Sequence, residues 1–497
     1  MQRIHGFVGG LFAITALVGY ASGCTESTPK PLTSGDGGST STAPLAEPAT
    51  PCDDTDEAIY GDPGPIPTDP ASLGKVLKCS KGPELTKEAI QARLTELGYK
   101  GKPLTSGART YKVVYRTTRG DAAGSPGYSS AIVYVPTVQR AEKLPIVVAG
   151  RGSRGQAARC AVSKLSPELV WINEDANSLT YTLVGQGYAV MYPDLAGYAN
   201  FGAANNPISG YAEINDVGRS TLYGSRAMKE LYPQLDDKTV LVGHSQGGHS
   251  ALAALALAES YGVQGTIAGL ALYAPLWMSQ RLWAAILDPA LAHDRDLTIA
   301  DYTTPSVVSI WFHYTHAELL DGPGEGIKLF KPEKREIVQK FVNESCWHEP
   351  ELIKNNAKFV YEYFEDSFTS AVGAAAAGLA ECNGNATCDK WIARYKADRP
   401  NLTGAAAQAP LLLLYGSDDE TIPDDRMQCA LDRLKEDRTN LTVCYEQGAD
   451  HSTVINATAE HVADWIASLT LGSPAPSSCA ANESALTAVC ATPPPND

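Results

Sequence analysis

Residues 243–247 read Gly-His-Ser-Gln-Gly and carry the pattern G-x-S-x-G. The short β-branched run 238–242 before them predicts a buried strand, and the alanine- and leucine-rich run 251–258 after them predicts a buried helix. Glycines let the two backbones approach closely at a sharp strand-to-helix turn, which presents Ser245 at its top. The pattern therefore predicts a nucleophilic serine; a glycine-rich turn with a surface serine is the alternative.

An acidic loop follows a second apolar run further along the chain. Residues 410–415 predict a buried strand, and residues 416–423 after it include two adjacent carboxylates. Because an α/β-hydrolase places its acid just past the end of a strand, Asp419 is the predicted acid of a catalytic triad. Asp418 beside it, and Asp424 and Asp425 one turn later, stay open as alternatives.

The predicted base is His451, which lies on the loop after a predicted strand at residues 441–446. The chain order Ser, Asp, His is the α/β-hydrolase order and differs from the two other common triad orders. In this assignment His451 takes the proton of Ser245 and returns it to the leaving group, and Asp419 fixes the imidazole tautomer.

The other histidines have ordinary structural interpretations. His244 and His249 flank the nucleophile, and we expect them to pack beneath it or to point away from its hydroxyl, with local hydrogen bonds. His313, His316 and His348 are expected at the surface or as satisfied polar residues. No pair has the helical zinc-ligand spacing beside a carboxylate, so neither a metal nor a cofactor is predicted.

An oxyanion hole needs two backbone N–H groups aimed at the developing negative charge. One is expected from Gln246, the residue after the nucleophile. The second is expected from the glycine-rich loop 150–155, which follows a predicted strand at residues 144–149. Either Ser153 or Arg154 fits this role, and the sequence does not choose between them.

Several segments together resemble the secretory lipases of fungi and bacteria, the family of Candida lipase A. The resemblance covers roughly residues 111–469, and its segments are residues 111–117, 130–136, 151–155, 160–163, 192–197, the serine turn and the loop 416–423. The loop usually written His-Gly-Thr-Thr-Gly in bacterial members is Arg-Gly-Ser-Arg-Gly here. The resemblance implies an α/β-hydrolase fold with a mostly parallel central sheet and a helical lid, cleavage of carboxylic esters, often acylglycerols, and no cofactor. It also implies a bridge between Cys160 and Cys346.

A helical cap is also predicted from spacing. More than a hundred residues separate a predicted strand at 267–273 from the strand at 410, far beyond an ordinary α/β connection. Residues 282–287, 332–342, 351–368 and 371–380 of this insertion, residues 276–409, predict helices. Trp277 and Trp283, with neighbouring apolar residues, either line an acyl-binding cleft or form the core of the cap.

The chain ends predict export and tethering. Residues 1–24 resemble a signal peptide closed by a lipobox-like Cys24, residues 25–70 predict a flexible linker, and residues 473–497 a tail. The hydrolase core then comprises residues 71–275 and 410–472. Acylated Cys24 would attach the protein to a membrane of the cell envelope, such as a bacterial outer membrane. The net charge of −16 argues against nucleic-acid partners, and the oligomeric state stays open.

Eleven cysteines in an exported chain predict disulfides. Acylation of Cys24 leaves an even number for pairing. Short separations favour Cys382–Cys388 and Cys479–Cys490, and Cys429–Cys444 would clamp the acid loop. Once the family bridge is set aside, Cys52–Cys79 remains by elimination, and buried free thiols are the alternative.

These patterns predict a secreted or lipid-anchored serine hydrolase whose substrate is a carboxylic ester or a lipid. A hydrolase of another acyl bond, such as a polysaccharide ester or a peptide, is the alternative within enzymes. A catalytically silent binding protein on the same scaffold is the alternative from another class; it would lack an activated serine.

Overall fold

The apolar runs of the sequence form one nine-stranded sheet in the computed structural model, which describes residues 44–164, 174–198, 206–277, 287–294 and 303–479. The strands in chain order are β1 (Val76–Lys81), β2 (Ala108–Thr118), β3 (Pro126–Pro136), β4 (Ile146–Gly150), β5 (Ala189–Ala196), β6 (Lys238–His244), β7 (Thr266–Tyr273), β8 (Pro410–Gly416) and β9 (Asn440–Glu446). Their spatial order is β1-β2-β3-β5-β4-β6-β7-β8-β9.

The sheet is mostly parallel, as predicted. β1, β2, β3 and β5 pair antiparallel, whereas the pairs from β5 through β4, β6, β7 and β8 to β9 are all parallel. Strands β4 and β5 are buried along their whole length, as expected when helices cover both faces of a parallel sheet. Because side chains alternate along a strand, Val147 and Val148 enter two different hydrophobic clusters, one on each face.

Helices cover both faces. Those of the core and the chain ends are α1 (Asp56–Tyr60), α2 (Lys87–Glu96), α3 (Glu174–Gly185), α4 (Ile214–Leu231), α5 (Gln246–Tyr261), α13 (Asp424–Glu436), α14 (Thr453–Ala457) and α15 (Ala459–Thr470). Leu222 of α4 and Leu252 of α5 belong to one cluster, and Leu179 of α3 and Ile466 of α15 belong to the other. The predicted helix at 251–258 is therefore the middle of α5, on one face of the sheet.

The insertion between β7 and β8 is helical where it is described. Its helices are α6 (Pro289–Asp294), α7 (Thr303–Leu320), α8 (Arg335–Glu344), α9 (Glu351–Lys354), α10 (Asp366–Ala376), α11 (Ala386–Ala397) and α12 (Gly404–Gln408). The helices predicted at 332–342 and 371–380 correspond to α8, preceded by a 3₁₀ turn, and to α10. Residues 282–286 of the first predicted helix lie outside the described residues.

One predicted helix of the insertion is wrong. Residues 351–368 form the four-residue helix α9, a 3₁₀ turn (Val360–Tyr363) and the start of α10. Two asparagines follow α9, and asparagine favours local hydrogen bonds over a continued helix. The side chain of Asn356 donates back to the Leu352 carbonyl, and Glu362 accepts from the N–H groups of Lys358 and Phe359.

The linker predicted through residue 70 is also wrong for residues 44–70. Leu45 and Ile59 are buried, Ala49 donates its N–H to the Leu231 carbonyl at 2.8 Å, and Cys52 bonds to Cys79 of β1. These residues therefore pack on the α/β core. Ser-, Thr- and Pro-rich composition indicated only a low local tendency to fold, and the contacts that hold this segment come from distant residues.

Candidate active site

Ser245 lies at a strained turn between β6 and α5. Its φ is 53° and its ψ −120°, a backbone conformation that side chains disfavour. The surrounding backbone holds it there, since Ser245 donates its N–H to the Tyr273 carbonyl at 3.0 Å and its carbonyl accepts from Leu276 at 2.8 Å. A Cβ added at Gly243 would overlap the backbone of Gly247. The glycines are thus required where strand and helix meet, as the sequence predicts.

Asp419 contacts His451, and its neighbour Asp418 points elsewhere. His451 Nδ1 lies 2.7 Å from Asp419 Oδ2, and Asp419 is buried. The other oxygen of Asp419 accepts from the N–H groups of Thr421 and Ile422 at 2.9 and 2.8 Å. Asp418 is exposed and accepts from the adjacent Ser417 hydroxyl. The side chains of the alternatives Asp424 and Asp425 lie outside the described part of the chain.

The imidazole of His451 is suited to accept a proton. Its burial lowers the pKa of the ring below the ordinary value, and the positive charge on His244, when present, would lower it further. The hydrogen bond to Asp419 opposes this shift by stabilising the charged ring. The net lowering keeps His451 neutral near pH 7, the form that a general base needs.

His244 contacts the base, and its hydrogen-bond partners are distant in sequence rather than local as predicted. It is buried, its Nε2 lies 2.8 Å from the His451 carbonyl oxygen, and its Nδ1 lies 3.2 Å from Asp175 Oδ2. The two imidazole rings are 4.6 Å apart. Burial lowers the pKa of His244 to about 4. His249 is also buried, and its Nε2 lies 3.0 Å from the Asp398 carbonyl oxygen.

The loop after β4 lies against the nucleophile turn. A Cβ on Gly150 would come within 2.5 Å of the Gly247 carbonyl oxygen, so only glycine allows this contact. The Gly152 N–H is already donated to Asp175 at 3.1 Å. Ser153 bonds through its hydroxyl to Tyr211, and Arg154 forms an ion pair with Asp175. The choice between the Ser153 and Arg154 N–H groups as oxyanion donor stays a prediction.

Gln246 begins α5, so its N–H belongs to the first turn of the helix, where donors have no intrahelical acceptor. Its side-chain oxygen accepts from Arg151 at 3.3 Å. Arg151 is buried, with its guanidinium 4.3 Å from the Tyr198 ring centroid. Arg151, which stands where the bacterial lipases named above usually have histidine, therefore connects the loop to the first residue of α5.

A cavity of about 150 Å³ opens at Ser245. Its described lining combines the nucleophile and the base with residues of the loop after β4, of α3 and of the helical insertion: Gly152, Ser153, Arg154, Glu174, Asp175, His244, Ser245, Trp347, His348, Thr421, His451 and Ser452. Asp175, Trp347 and His348 were not predicted as site residues. No local motif marks them, because each is brought to the site by an element distant in sequence.

The sequence matches the model described as "Alpha/beta hydrolase family" over residues 167–465, more than half of the chain. The chain belongs to the alpha/beta hydrolase family. No curated protein matches this hydrolase in sequence. The strand–turn–helix at Ser245 and the mostly parallel sheet are both expected of this family.

Solved structures show the same fold at low sequence identity. Candida antarctica lipase A in its closed state has a TM-score of 0.58 and 16% identity, over 87% of this chain and 91% of that chain. The rice cell wall degrading esterase LipA from Xanthomonas oryzae has a TM-score of 0.57 and 19% identity, over 81% and 99%. The predicted resemblance to the lipase A family is thus confirmed for the fold.

The acyl cleft predicted around the cap tryptophans does not include Trp277 in the described structure. Trp277 is buried in the main hydrophobic cluster and lines a separate cavity of about 10 Å³ with residues such as Phe312 and Tyr395. Its burial beside Phe312 of α7 and Tyr395 of α11 agrees with the alternative interpretation, core packing. Trp283 lies outside the described residues.

Of the three insertion histidines considered from the sequence, two are buried rather than at the surface. His313 and His316 of α7 are fully buried, with His313 Nε2 2.7 Å from the Tyr395 hydroxyl and His316 Nε2 3.0 Å from the Tyr211 carbonyl oxygen. They are satisfied polar residues inside the insertion. His348 is exposed, in agreement with the surface interpretation, and lines the Ser245 cavity.

Three predicted disulfides are confirmed and two are wrong. Cys52–Cys79, Cys160–Cys346 and Cys382–Cys388 are bonded. Cys444 pairs with Cys479, which excludes both Cys429–Cys444 and Cys479–Cys490. Short sequence separation identified Cys382–Cys388 but failed for Cys479, since the tail folds back onto β9. Cys490 and the side chain of Cys429 lie outside the described residues, as does Cys24.

Metal donors cluster at one place in the described part of the hydrolase. Ligand atoms of Cys444, His461 and Cys479 lie within 4.8 Å of one another, but both sulfurs belong to the disulfide. Oxidised sulfur is not the thiolate that binds a metal. Within the described ranges, no helix has the length and apolarity to cross a membrane.

Proposed function

We propose that this hydrolase cleaves carboxylic esters, with Ser245 as nucleophile, His451 as general base and acid, and Asp419 as the residue that orients His451. The observation that carries the proposal is the 2.7 Å contact between His451 Nδ1 and Asp419 Oδ2 beside the cavity that Ser245 lines. Membership of the alpha/beta hydrolase family supports the same assignment.

The proposed reaction has two steps. His451 Nε2 takes the Ser245 proton while Oγ attacks the ester carbonyl carbon, and the oxyanion is held by the Gln246 N–H and that of Ser153 or Arg154. Collapse breaks the bond to the alcohol, which leaves with the proton from His451. Water then gives a proton to His451 and attacks the acyl-enzyme, and the carboxylic acid departs as His451 returns that proton to Ser245 Oγ.

The lining of the cavity supports a short or polar ester as substrate. At about 150 Å³ it is smaller than the 300–1,000 Å³ of drug-sized ligand pockets. Its described lining has one large apolar ring, Trp347, and is otherwise rich in polar side chains such as Glu174, His348, Thr421 and Ser452. Such walls favour a short acyl group with a hydroxyl-rich alcohol over a long-chain acylglycerol, and they keep a polysaccharide ester as the second candidate.

We also propose that residues 276–409 act as a cap on the core formed by residues 71–275 and 410–472. Trp347 and His348 support this role, because they come from the insertion and line the Ser245 cavity. In this domain division, residues 473–497 are the C-terminal tail.

Export of the chain, with acylation of Cys24 after a signal peptide, is part of the proposal. Four disulfides among the described residues support an oxidising compartment. Intact-mass analysis of protein from the native host tests the lipid. A mass increase of diacylglycerol size on Cys24 supports the anchor, and an unmodified N-terminus beyond Cys24 contradicts it.

A fluorophosphonate probe tests the proposed nucleophile. Wild-type protein should be labelled, and Ser245→Ala should not, because the probe reacts only with an activated serine. Ser250→Ala is the matched control: Ser250 lies one turn later on α5, where its hydroxyl donates to the Gln246 carbonyl, and its loss should leave labelling intact. Absence of wild-type labelling would favour a silent binding protein.

A substrate series then tests the ester class. We expect p-nitrophenyl acetate and butyrate to be turned over faster than the palmitate, and acetylated xylan faster than emulsified triolein. Preference for palmitate and triolein would contradict the short-ester assignment. Cleavage of a peptide substrate at a comparable rate would move the proposal to another acyl bond.

A further inference from the structure

Three groups from the two backbone segments that meet at the nucleophile lie next to the Asp175 carboxylate. It is the second residue of α3 and is buried. One carboxylate oxygen accepts the Gly152 N–H at 3.1 Å and faces His244 Nδ1 at 3.2 Å, and the other pairs with the Arg154 guanidinium. A single side chain thus contacts both the loop after β4 and the end of β6.

The loop is shaped to admit this carboxylate. A Cβ added at Gly152 would lie 2.6 Å from Asp175 Oδ2 and 3.2 Å from His244 Nδ1. Both values are shorter than ordinary van der Waals contact, so a side chain at position 152 would push the acid and the imidazole away. Glycine at this position therefore keeps the three groups in contact.

His244 makes a separate contact with the base. Its Nε2 lies 2.8 Å from the carbonyl oxygen of His451, which can only accept, so Nε2 carries a proton and donates. The backbone of the base is thus fixed by the residue that precedes the nucleophile. The side chain of His451 is held separately by Asp419.

We propose that Asp175 and His244 are positioning residues: Asp175 holds the oxyanion loop through Gly152 and Arg154, and His244 holds the backbone of the base through Nε2. This inference rests on the proposed function. Asp175 makes these contacts in a buried site where the partners come from distant parts of the chain. Displacement of a reacting group by about 1 Å can cost 10²-fold in rate, and loss of an oxyanion donor costs about 10²–10³-fold.

The first test compares Asp175→Asn with Asp216→Asn in the full-length protein. Asp216 is a matched control because it too is buried, accepts from two glycine N–H groups, Gly120 and Gly210, and pairs with an arginine, Arg119. With p-nitrophenyl acetate, Asp175→Asn should lower kcat about 10- to 100-fold and change KM less than about threefold. Asp216→Asn should melt earlier but keep kcat within about threefold.

The pH profile gives a readout that a purely structural role would not move. The charged and titratable groups around His244 are Asp175, Arg154, His451, Asp419 and Asp450. Replacing Asp175 by asparagine removes a negative charge that offsets the positive charge of Arg154. The uncompensated positive charge should then lower the pKa of His451. The acidic limb of kcat/KM should therefore shift to lower pH in Asp175→Asn, and not in Asp216→Asn.

A second pair of variants keeps the inference testable if Asp175→Asn does not fold. The amide of His244→Gln can still donate to the His451 carbonyl, whereas His244→Leu cannot. We expect His244→Gln to retain at least about tenfold higher kcat than His244→Leu.

The results separate the two proposals. Failure of wild-type protein to turn over any ester or to react with the fluorophosphonate refutes the proposed function. If the wild type is active, equal kcat values for folded His244→Gln and His244→Leu refute the positioning role, as does a folded Asp175→Asn with kcat within threefold of wild type. A loss in Asp216→Asn equal to that in Asp175→Asn also refutes it.

Discussion

Gly150→Ala tests how tightly the oxyanion loop is joined to the nucleophile turn. A Cβ at Gly150 would lie 2.5, 2.8 and 2.9 Å from the oxygen, Cα and carbonyl carbon of Gly247, all of them backbone atoms. The shortest of these is about 0.9 Å less than the 3.4 Å at which ordinary contact begins. Because no side chain can rotate away, β4 and α5 must separate by a similar amount, which displaces both sets of oxyanion donors.

The substitution should lower the turnover rate more than it lowers the folding stability. Overpacking of this kind costs about 1–3 kcal/mol of folding free energy, whereas a displacement near 1 Å can cost about 10²-fold in rate. We therefore expect Gly150→Ala to lower kcat for p-nitrophenyl acetate by about 30- to 300-fold, with a melting temperature only a few degrees lower. Circular dichroism and calorimetry would establish that the variant is folded.

Gly224→Ala is the matched control. Its Cβ would lie 3.5 Å from Met191 Sδ and from Pro193 Cγ, which is ordinary contact, and Gly224 is inside α4, where alanine favours the helix by about 1 kcal/mol. It should melt no lower than wild type and keep full activity. A folded Gly150→Ala with kcat within threefold of wild type would show that the glycine contact does not set the oxyanion geometry.

Three further predictions concern the acid, the base and the cap. Asp419→Asn should lower kcat about 10³- to 10⁴-fold and Asp418→Asn less than about threefold in the same ester assay, and the opposite order would move the acid to Asp418. Since burial lowers the pKa of His451 and the neutral ring is the base, kcat/KM should fall on acidification with an apparent pKa below 6.5; an apparent pKa above 7 contradicts this. Replacing both Cys160 and Cys346 by serine should cost about 2–5 kcal/mol in urea unfolding, since the bridge closes a loop of 186 residues, and an unchanged midpoint would refute that estimate.

The parts of the site that follow buried strands could be predicted from the sequence. β6 and β8 are almost entirely buried, so continuous apolar runs identify them without any partner being known. The residues that follow them are then placed at the same edge of the sheet. Ser245 and Asp419 were predicted in this way, whereas His451 follows β9, a strand that is mostly not buried. Asp419 and His451 lie in contact in the structure.

Helix α7 could not be predicted by the same means. It carries apolar residues on all sides, so it lacks the amphipathic stripe that marks a surface helix. Its polar residues are also misleading, because His313 and His316 are buried and bond to Tyr395 and Tyr211, which are remote in sequence. A pattern of polar residues predicts exposure unless the partners are known.

Asp175 is hidden from sequence reasoning for a related reason. It stands at the start of α3, where an acidic residue is favoured by the helix dipole alone. Its partners at positions 152, 154 and 244 come together only when β4 and β6 pair in the sheet. The sequence therefore predicted the reacting groups and missed the acid that contacts the segments around them.

The contacts between the insertion and the oxyanion loop restrict how the cavity can open. Cys346 is bonded to Cys160, the Trp347 N–H donates to the Arg154 carbonyl at 2.9 Å, and Arg159 pairs with Glu349. Trp347 therefore cannot withdraw from the cavity without pulling on a covalent bridge and on the loop that holds the predicted oxyanion donor. If substrate entry requires the cap to move, the movement has to occur in other parts of the insertion, with residues 346–349 staying on the core.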